Sequence, residues 1–407
     1  MTEEATSHVI ERLGIHGDGV APGPLFVPRT LPGEVVTGAV QGDRLPEPKI
    51  VTPSVDRVAA PCPHYRRCGS CAVQHASGSF VADWKVGIVR ETLTRAGLDV
   101  AIAGIETSPP HSRRRAALSG HKTKKGAVVG FHLRGSSDVV GVPDCKVLHP
   151  DLVAVLPALE EVTRLAATRG SDVTLHVTQG PAGIDLAIEG ARDFDRQAMV
   201  AIAPFGATFA RITWNGEAAL QQTPPWQAMG RARVVPPPAA FLQATAQGEA
   251  ALVDHVHTTL AGTHRVVDLF AGCGTFTFPV AEDVPVHAVE GERPLIAALQ
   301  DGARTAMGLK AVTAEVRDLF RNPLLVQDLA RFDAAVIDPP RAGAQAQVAE
   351  LARSALSRIA FVSCNPVTFA RDAALLTGAG WRMGPVTVVD QFRWSPHIEL
   401  VTSFERS

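Results

Sequence analysis

Ile359-Ala360-Phe361-Val362-Ser363-Cys364-Asn365-Pro366 lies near the end of a chain of 407 residues. Four apolar residues in a row read as a buried strand. Pro366 cannot continue the ladder, because it has no N–H to donate. Open α/β sheets carry their chemistry just past strand ends of this kind. A thiolate is the strongest nucleophile among side chains near neutral pH, which makes Cys364 a candidate nucleophile. The plainer alternative is a cysteine acting as a small buried hydrophobe.

Upstream, Arg265-Val266-Val267-Asp268-Leu269-Phe270 reads as a second buried strand, followed by Ala271-Gly272-Cys273-Gly274-Thr275-Phe276 and a helical stretch. Glycines there let the backbone approach a ligand, and the helix start can receive its carboxylate. The dinucleotide fingerprint is absent, since Thr277 stands where its third glycine would be. Val286-His287-Ala288-Val289-Glu290 is the next strand, and a carboxylate at its end can accept both ribose hydroxyls of a nucleoside. Asp318 follows a third strand, where an adenine amine would be met. Ala334-Ala335-Val336-Ile337 runs into Asp338-Pro339-Pro340-Arg341, two prolines giving the carboxylate a rigid mount. Strands alternating with helices predict a doubly wound, Rossmann-like α/β domain over residues 236–407, with Pro236-Pro237-Pro238 at its boundary.

The balance of 39 Lys and Arg against 41 Asp and Glu gives a net charge of −2, so any basic surface is local. Met1 to Arg12 is polar and acidic, unlike an export leader, and no apolar run reaches 18 residues. A cytoplasmic protein with no membrane contact is expected, and the six cysteines are read as ligands or catalysts rather than disulfides. Nothing implies a protein partner, and a monomer is expected.

Residues 1–58 carry turn signals every few positions, with short β-prone pieces Leu25-Phe26-Val27, Glu34-Val35-Val36-Thr37 and Lys49-Ile50-Val51-Thr52 between them. That punctuation predicts a small barrel of the oligonucleotide-binding type. Residues 59–235 are expected to form a central α/β domain. They open on Cys62-Pro63-His64-Tyr65-Arg66-Arg67-Cys68-Gly69-Ser70-Cys71, and Cys145 follows at a distance. Cysteines two residues apart can reach one metal from a tight turn, and a fourth would close a four-thiolate site. Spacing leaves tetrahedral zinc and a [4Fe–4S] cluster both open. Arg113-Arg114-Arg115 and His121-Lys122-Thr123-Lys124-Lys125 make the densest basic stretch, read as phosphate contacts to RNA. Leu152 to Ala167 reads as one amphipathic helix, and Val173 to Thr178 and Gly183 to Ile188 as strands of a half-buried sheet.

In combination and order, Asp-Leu-Phe-Ala-Gly-Cys-Gly-Thr-Phe from Asp268, Asp-Pro-Pro-Arg-Ala-Gly from Asp338, Ser-Cys-Asn-Pro-Val-Thr-Phe-Ala-Arg-Asp from Ser363 and Ser-Pro-His-Ile-Glu-Leu from Ser395 closely resemble the S-adenosylmethionine-dependent RNA uracil-5-methyltransferases. The N-terminal module resembles the TRAM domain, an RNA-binding unit. The C-x5-C-x2-C pattern resembles the iron–sulfur site of the bacterial rRNA enzymes of this family. The resemblance implies Cys364 as nucleophile and Glu399 as base. For the cofactor, S-adenosylmethionine, it implies Gln243, Phe270, Thr275, Glu290, Asp318 and Asp338. For a [4Fe–4S] cluster, with zinc the alternative, it implies Cys62, Cys68, Cys71 and Cys145. It implies methyl transfer to carbon 5 of a uridine and RNA as the partner, with rRNA favoured over tRNA; the alternative is a non-catalytic RNA-binding protein on the same fold. Ser112, Arg114, Thr245 and Thr275 depart from the family's usual tyrosine, asparagine, asparagine and asparagine.

Overall fold

The computed structural model describes residues 6–406. Met1 to Ala5, part of the stretch read above as no export leader, lie outside the described residues, as does Ser407. Among the described residues no helix is long and apolar enough to cross a membrane.

The apolar runs read as buried strands build one large sheet. Its strands are β1 (Ile102–Thr107), β2 (Val266–Leu269), β3 (Val286–Glu290), β4 (Val312–Val316), β5 (Ala334–Ile337), β6 (Arg358–Ser363), β7 (Val386–Asp390) and β8 (Glu399–Glu405). Across the sheet the order is β4-β3-β2-β5-β6-β8-β7-β1, with Arg382–Met383 beside the far end of β8. All neighbours are parallel except β8, which runs against β6 and β7. Every residue of β2 and β5 is buried, as strands covered by helices on both faces must be.

On one face lie α1 (Gly78–Arg95), α4 (Gln345–Arg353) and α5 (Pro366–Gly378), sharing a core with Leu269, Ile337, Phe361 and Phe404. On the other, α2 (Ala246–Thr259) packs Leu252 and Val256 against Val336 and Val362, and α3 (Arg293–Thr305) packs Leu299 with Ala288. Helix α1 starts on Ser77, whose hydroxyl accepts from Phe80 N, and stops before Gly97 in the left-handed region at φ +75°. Helix α1 and strand β1 fall within residues 59–235, yet both are built into this C-terminal sheet. The hairpin Gln227–Met229 and Ala232–Val234 also packs there, against Phe278 and Leu299, ahead of the proline boundary.

A second sheet of seven strands runs, in spatial order, Val139–Gly141, Ala127–His132, Arg115–Lys122, Asp172–Gly180, Gly183–Glu189, Phe209–Trp214 and Glu217–Gln221. The expected single helix over Leu152 to Ala167 is two, Pro150–Ala154 and Leu156–Ala166, joined at Val155. Pro157 has no N–H to bond backwards across that junction, so the second helix restarts with proline in its first turn. Arg211 and Asp185 form a buried two-pronged pair at 2.8 and 2.6 Å. Removing one partner of such a pair costs roughly 3–5 kcal/mol. At the N-terminus, two three-stranded antiparallel sheets enclose Ile10, Ala21, Leu25, Val27, Val36 and Leu45.

Candidate active site

The parallel strands all end at one edge of the large sheet, and β8, running the other way, begins there. Its first residue, Glu399, therefore sits beside the end of β6, where Ser363 is opposite Leu400. Cys364 follows Ser363 directly and is only partly buried. Asn365 turns the chain into α5. Its Oδ1 accepts from Val367 N at 3.1 Å, and its Nδ2 donates to the Arg341 carbonyl at 2.9 Å. That second bond ties the Cys364 turn to the loop after Asp338.

Charge on this edge is poorly compensated. Burial, then the Asp338 carboxylate, push Glu399 up to about 8. Burial raises Asp338 to about 7. Asp268 is raised to about 7 by burial, with Asp338 and Glu290 adding to it. Its Oδ2 accepts from the Thr277 hydroxyl at 2.6 Å, while its Oδ1 is buried without a partner. The Cys364 thiol is pushed up to about 12 by burial and by Glu399 and Asp338, with Arg341 pulling the other way. Carboxyls that resist ionising together mark a place where a bound cation is favoured.

The other residues singled out in the sequence line the same edge. Phe270 holds φ +61° in the turn after β2, a conformation costly for an aromatic residue. Gly274, at φ +104°, lies so close to Phe278 that a Cβ would stand 2.5 Å from its ring. Thr275 lies in the turn just ahead of the short helix Thr277–Val280, whose N-cap is Phe276. Glu290 spans the neighbouring turn, its Oε2 accepting from Gly272 N at 3.1 Å and its Oε1 from Glu292 N at 3.0 Å. Asp318 is exposed past β4, its Oδ1 accepting from Phe320 N at 3.0 Å. Gln243 is buried, its Oε1 accepting from Gln391 Nε2 at 2.6 Å.

Sequence reasoning passed over several partners. Phe320 lies 5.4 Å from Phe270, ring centre to ring centre, giving the Asp318 corner two aromatic faces. Gln391 holds Gln243 and also accepts from Thr245 N at 3.3 Å. The Asp268 carboxyl is legible only as a polar residue inside an apolar run. Thr245, the departure from asparagine, is the N-cap of α2, its hydroxyl accepting from Gly248 N at 3.0 Å.

The basic stretch differs from the expected phosphate face. Arg113, Arg114 and Arg115 are half-buried. Arg114 pairs with Glu249 at 2.5 Å, and Arg115 lies 4.5 Å from the centre of the Phe241 ring. Arg113 donates to the Arg115 carbonyl at 3.0 Å and lies 5.6 Å from the Phe392 ring centre. Strand pairing from Arg115 onward turns these side chains into contacts between the two sheets, leaving Lys124 and Lys125 exposed at the hairpin tip.

Cys62, Cys68, Cys71 and Cys145 are all buried, and several raise one another's pKa, Cys71 reaching about 12 mainly through burial. Backbone N–H groups reach two of the sulfurs: Ser70 donates to Cys68, and Val147 and Leu148 donate to Cys145. Arg113 is the cation beside Cys71 and Cys145. A donor set of this kind suits a group that takes thiolates. Among the described residues, however, no three His, Cys, Asp or Glu side chains have the geometry to hold a metal ion as they stand. The expected four-cysteine metal centre is thus a gathering of thiols and not a displayed site.

Residues 237–406 match the family model described as tRNA (Uracil-5-)-methyltransferase. An uncharacterised RNA methyltransferase of Caulobacter vibrioides is 44% identical, over 98% of this chain and 99% of its own length. The 23S rRNA (uracil(1939)-C(5))-methyltransferase RlmD of Halomonas elongata is 32% identical, over 98% of this chain and 89% of its own. The crystal structure of Pyrococcus abyssi tRNA (uracil-54, C5)-methyltransferase with S-adenosyl-L-homocysteine superposes with a TM-score of 0.76 at 21% identity, covering 98% of this chain and 99% of that one. With a thiol and raised carboxyls at one sheet edge, and relatives that match over nearly its whole length, the chain belongs to the RNA (uracil-5-)-methyltransferase family.

Proposed function

We propose that this protein methylates carbon 5 of a uridine in 23S rRNA, through a covalent bond between Cys364 and the uracil. The observation that carries the reading is the placement of Cys364 just past the end of β6 and of Glu399 at the adjoining start of β8, with the Glu399 carboxylate near enough to raise the Cys364 thiol. S-adenosylmethionine, bound along Phe270, Thr275, Glu290, Asp318, Asp338 and Gln243, supplies the methyl group and a positive sulfonium. The under-compensated carboxyls Asp268, Asp338 and Glu399 favour that positive charge.

Carbon 5 of uracil is a weak nucleophile. The partly exposed Cys364 gives its proton to solvent, favoured by Arg341, and its sulfur adds to carbon 6. Electrons of the carbon 5–carbon 6 double bond move towards carbon 5, which would then take the methyl group as its bond to the sulfonium sulfur breaks and S-adenosylhomocysteine leaves. Glu399 removes the remaining hydrogen of carbon 5 as a proton. The electrons left behind restore the double bond and expel the Cys364 thiolate. The target base must leave the stack to meet these groups, because its reacting atoms are covered in a helix.

The N-terminal module is read as a TRAM-like RNA contact. A cleft of about 890 Å³ beside it is lined by Arg29, Lys49, Arg57 and Arg66 and reaches Cys62, which suits a phosphate backbone. Cys62, Cys68, Cys71 and Cys145 are assigned to a [4Fe–4S] cluster, which would pin residues 62–71 to residue 145. Zinc is the alternative, and a colourless preparation without visible absorbance would favour it. The choice of rRNA rests on the Halomonas relative; tRNA is the second reading, favoured by the family model's description.

The test is incubation with labelled S-adenosylmethionine and separated rRNA and tRNA from cells lacking the gene, followed by digestion to nucleosides. Label in 5-methyluridine from rRNA, absent with Cys364→Ala, is the expected result. Label in tRNA overturns the substrate, and undiminished label with Cys364→Ala overturns the covalent step.

A further inference from the structure

Between β7 and β8 the chain makes a loop, Gln391 to Ile398, that delivers it into Glu399. Val389, at the loop's entrance, is the sheet partner of Glu399. Three residues from the N-terminal half grip this loop. Lys85 of α1 is completely buried, and its ammonium donates to Asp390 Oδ1 at 2.5 Å, to the Phe392 carbonyl at 3.2 Å and to the His397 carbonyl at 3.1 Å. One ammonium thus joins the entrance of the loop to its exit, two residues ahead of Glu399. Ala72 and Val73, which directly follow Cys71, both donate backbone N–H to the Trp394 carbonyl, at 2.8 and 3.1 Å. Trp394 holds φ +64°, a conformation that persists in a bulky residue only where surroundings impose it. Its ring packs with Cys62, Tyr65, Cys71 and Val81.

We propose that Lys85 is a positioning residue for Glu399, closing the loop so that the base faces the uracil carbon, and that the Cys71-Ala72-Val73 turn braces the loop from its other side. The proposal rests on the preceding assignment of Glu399 as base. The sheet fixes the backbone of Glu399, and the loop fixes what stands around its carboxyl. Loss of Lys85 then acts late, on removal of the carbon 5 proton, and spares the earlier steps that belong to Cys364. A side chain that served stability alone would affect all steps together, in proportion to the folded fraction.

The test uses the full-length double variant Lys85→Met with Asp390→Asn, which removes both charges and leaves neither buried unpaired. With 23S rRNA transcribed in vitro as probe, two rates are read: single-turnover methyl transfer, and release of product from the covalent protein–RNA adduct followed on a denaturing gel. The expected result is product release slowed roughly 10- to 100-fold, accumulation of methylated adduct, and methyl transfer within about threefold of the parent. A folded double variant that accumulates no adduct, or whose two rates fall equally, overturns the proposal. Should the double variant not fold, Lys85→Gln with Asp390→Asn, a neutral pair that can still hydrogen-bond, is read by the same criteria. Glu399→Gln runs alongside: if it too accumulates no adduct, the assignment of the base has failed. Lys85 is then judged by hydrogen exchange at residues 392–398, where unchanged protection in the double variant counts against it.

Discussion

The partly exposed thiol of Cys364 and the buried thiols around Cys71 sit in surroundings of opposite character. Cys364 and Cys71 are both raised to about 12. At Cys364 the neighbours are carboxylates, the one cation is the exposed Arg341, and part of the residue meets solvent. At Cys71 the neighbours are other thiols, the cation is Arg113, and backbone N–H groups serve the adjacent sulfurs. The first arrangement leaves a thiol open to a substrate and short of positive charge, which a cationic ligand supplies. The second closes the thiols inside and equips them to be held. Access and the sign of the nearby charge, not the identity of the residue, separate a nucleophile from a ligand.

The comparison breaks most sharply at Cys364. Cys364→Ala is expected to lower methyl transfer by roughly 10⁴-fold or more. Cys71→Ser is expected to leave transfer measurable while lowering the melting temperature by roughly 5 °C or more, with loss of bound iron. Labelled-methyl assays and thermal melts on both variants check this, and comparable loss of transfer in both would erase the distinction. Next in size is Glu399→Gln, expected to slow release of methylated RNA by roughly 10²- to 10³-fold while covalent adduct accumulates. A denaturing gel shows the adduct, and its absence at reduced turnover would move the base elsewhere.

The smallest effect sharpens the comparison through pH. Asp268, Asp338 and Glu399 have folded-state values raised above the ordinary carboxylate range, to about 7, 7 and 8. The folded chain therefore holds more protons than the unfolded one between that range and pH 8. Their contribution to stability is complete at low pH and is lost as pH rises through those values. Cys68, Cys71 and Cys145 are raised from 9, so their contribution falls only above pH 9. Melts of the ligand-free protein should decline from pH 6 to 8, and S-adenosylmethionine should offset that decline more than S-adenosylhomocysteine, which lacks the sulfonium charge, does. Equal stabilisation by the two at pH 8 would count against a cation-seeking edge.

Much of this was legible because the chemistry lies at the ends of apolar runs. Val266 to Leu269, Ala334 to Ile337 and Ile359 to Val362 each declare a buried strand, and the residue after each run lands on the same edge. What stayed hidden depends on partners far along the chain. Lys85 reads as a polar position on a helix, and nothing local announces that it meets Asp390, 305 residues away. Arg113 to Arg115 read as a basic patch because charge is visible in a sequence and direction is not. Only the pairing of Arg115 with Thr178 and of Arg114 with Glu249 turns them inward. The break at Val155 was visible in Pro157, but the apolar period on either side continues across it.

Strand β1 comes from the first third of the chain and closes the sheet against β7, pairing Ile105 with Val388. During synthesis this strand emerges long before its neighbour, so the C-terminal sheet is completed only when the ribosome has nearly finished. Pairings of such sequence separation are slow to form. A fragment cut at the proline boundary would present β7 as a bare edge with unpaired N–H and C=O groups, an invitation to aggregate. The portion that carries the reaction is in this sense not excisable: its last seam is stitched by an early part of the chain.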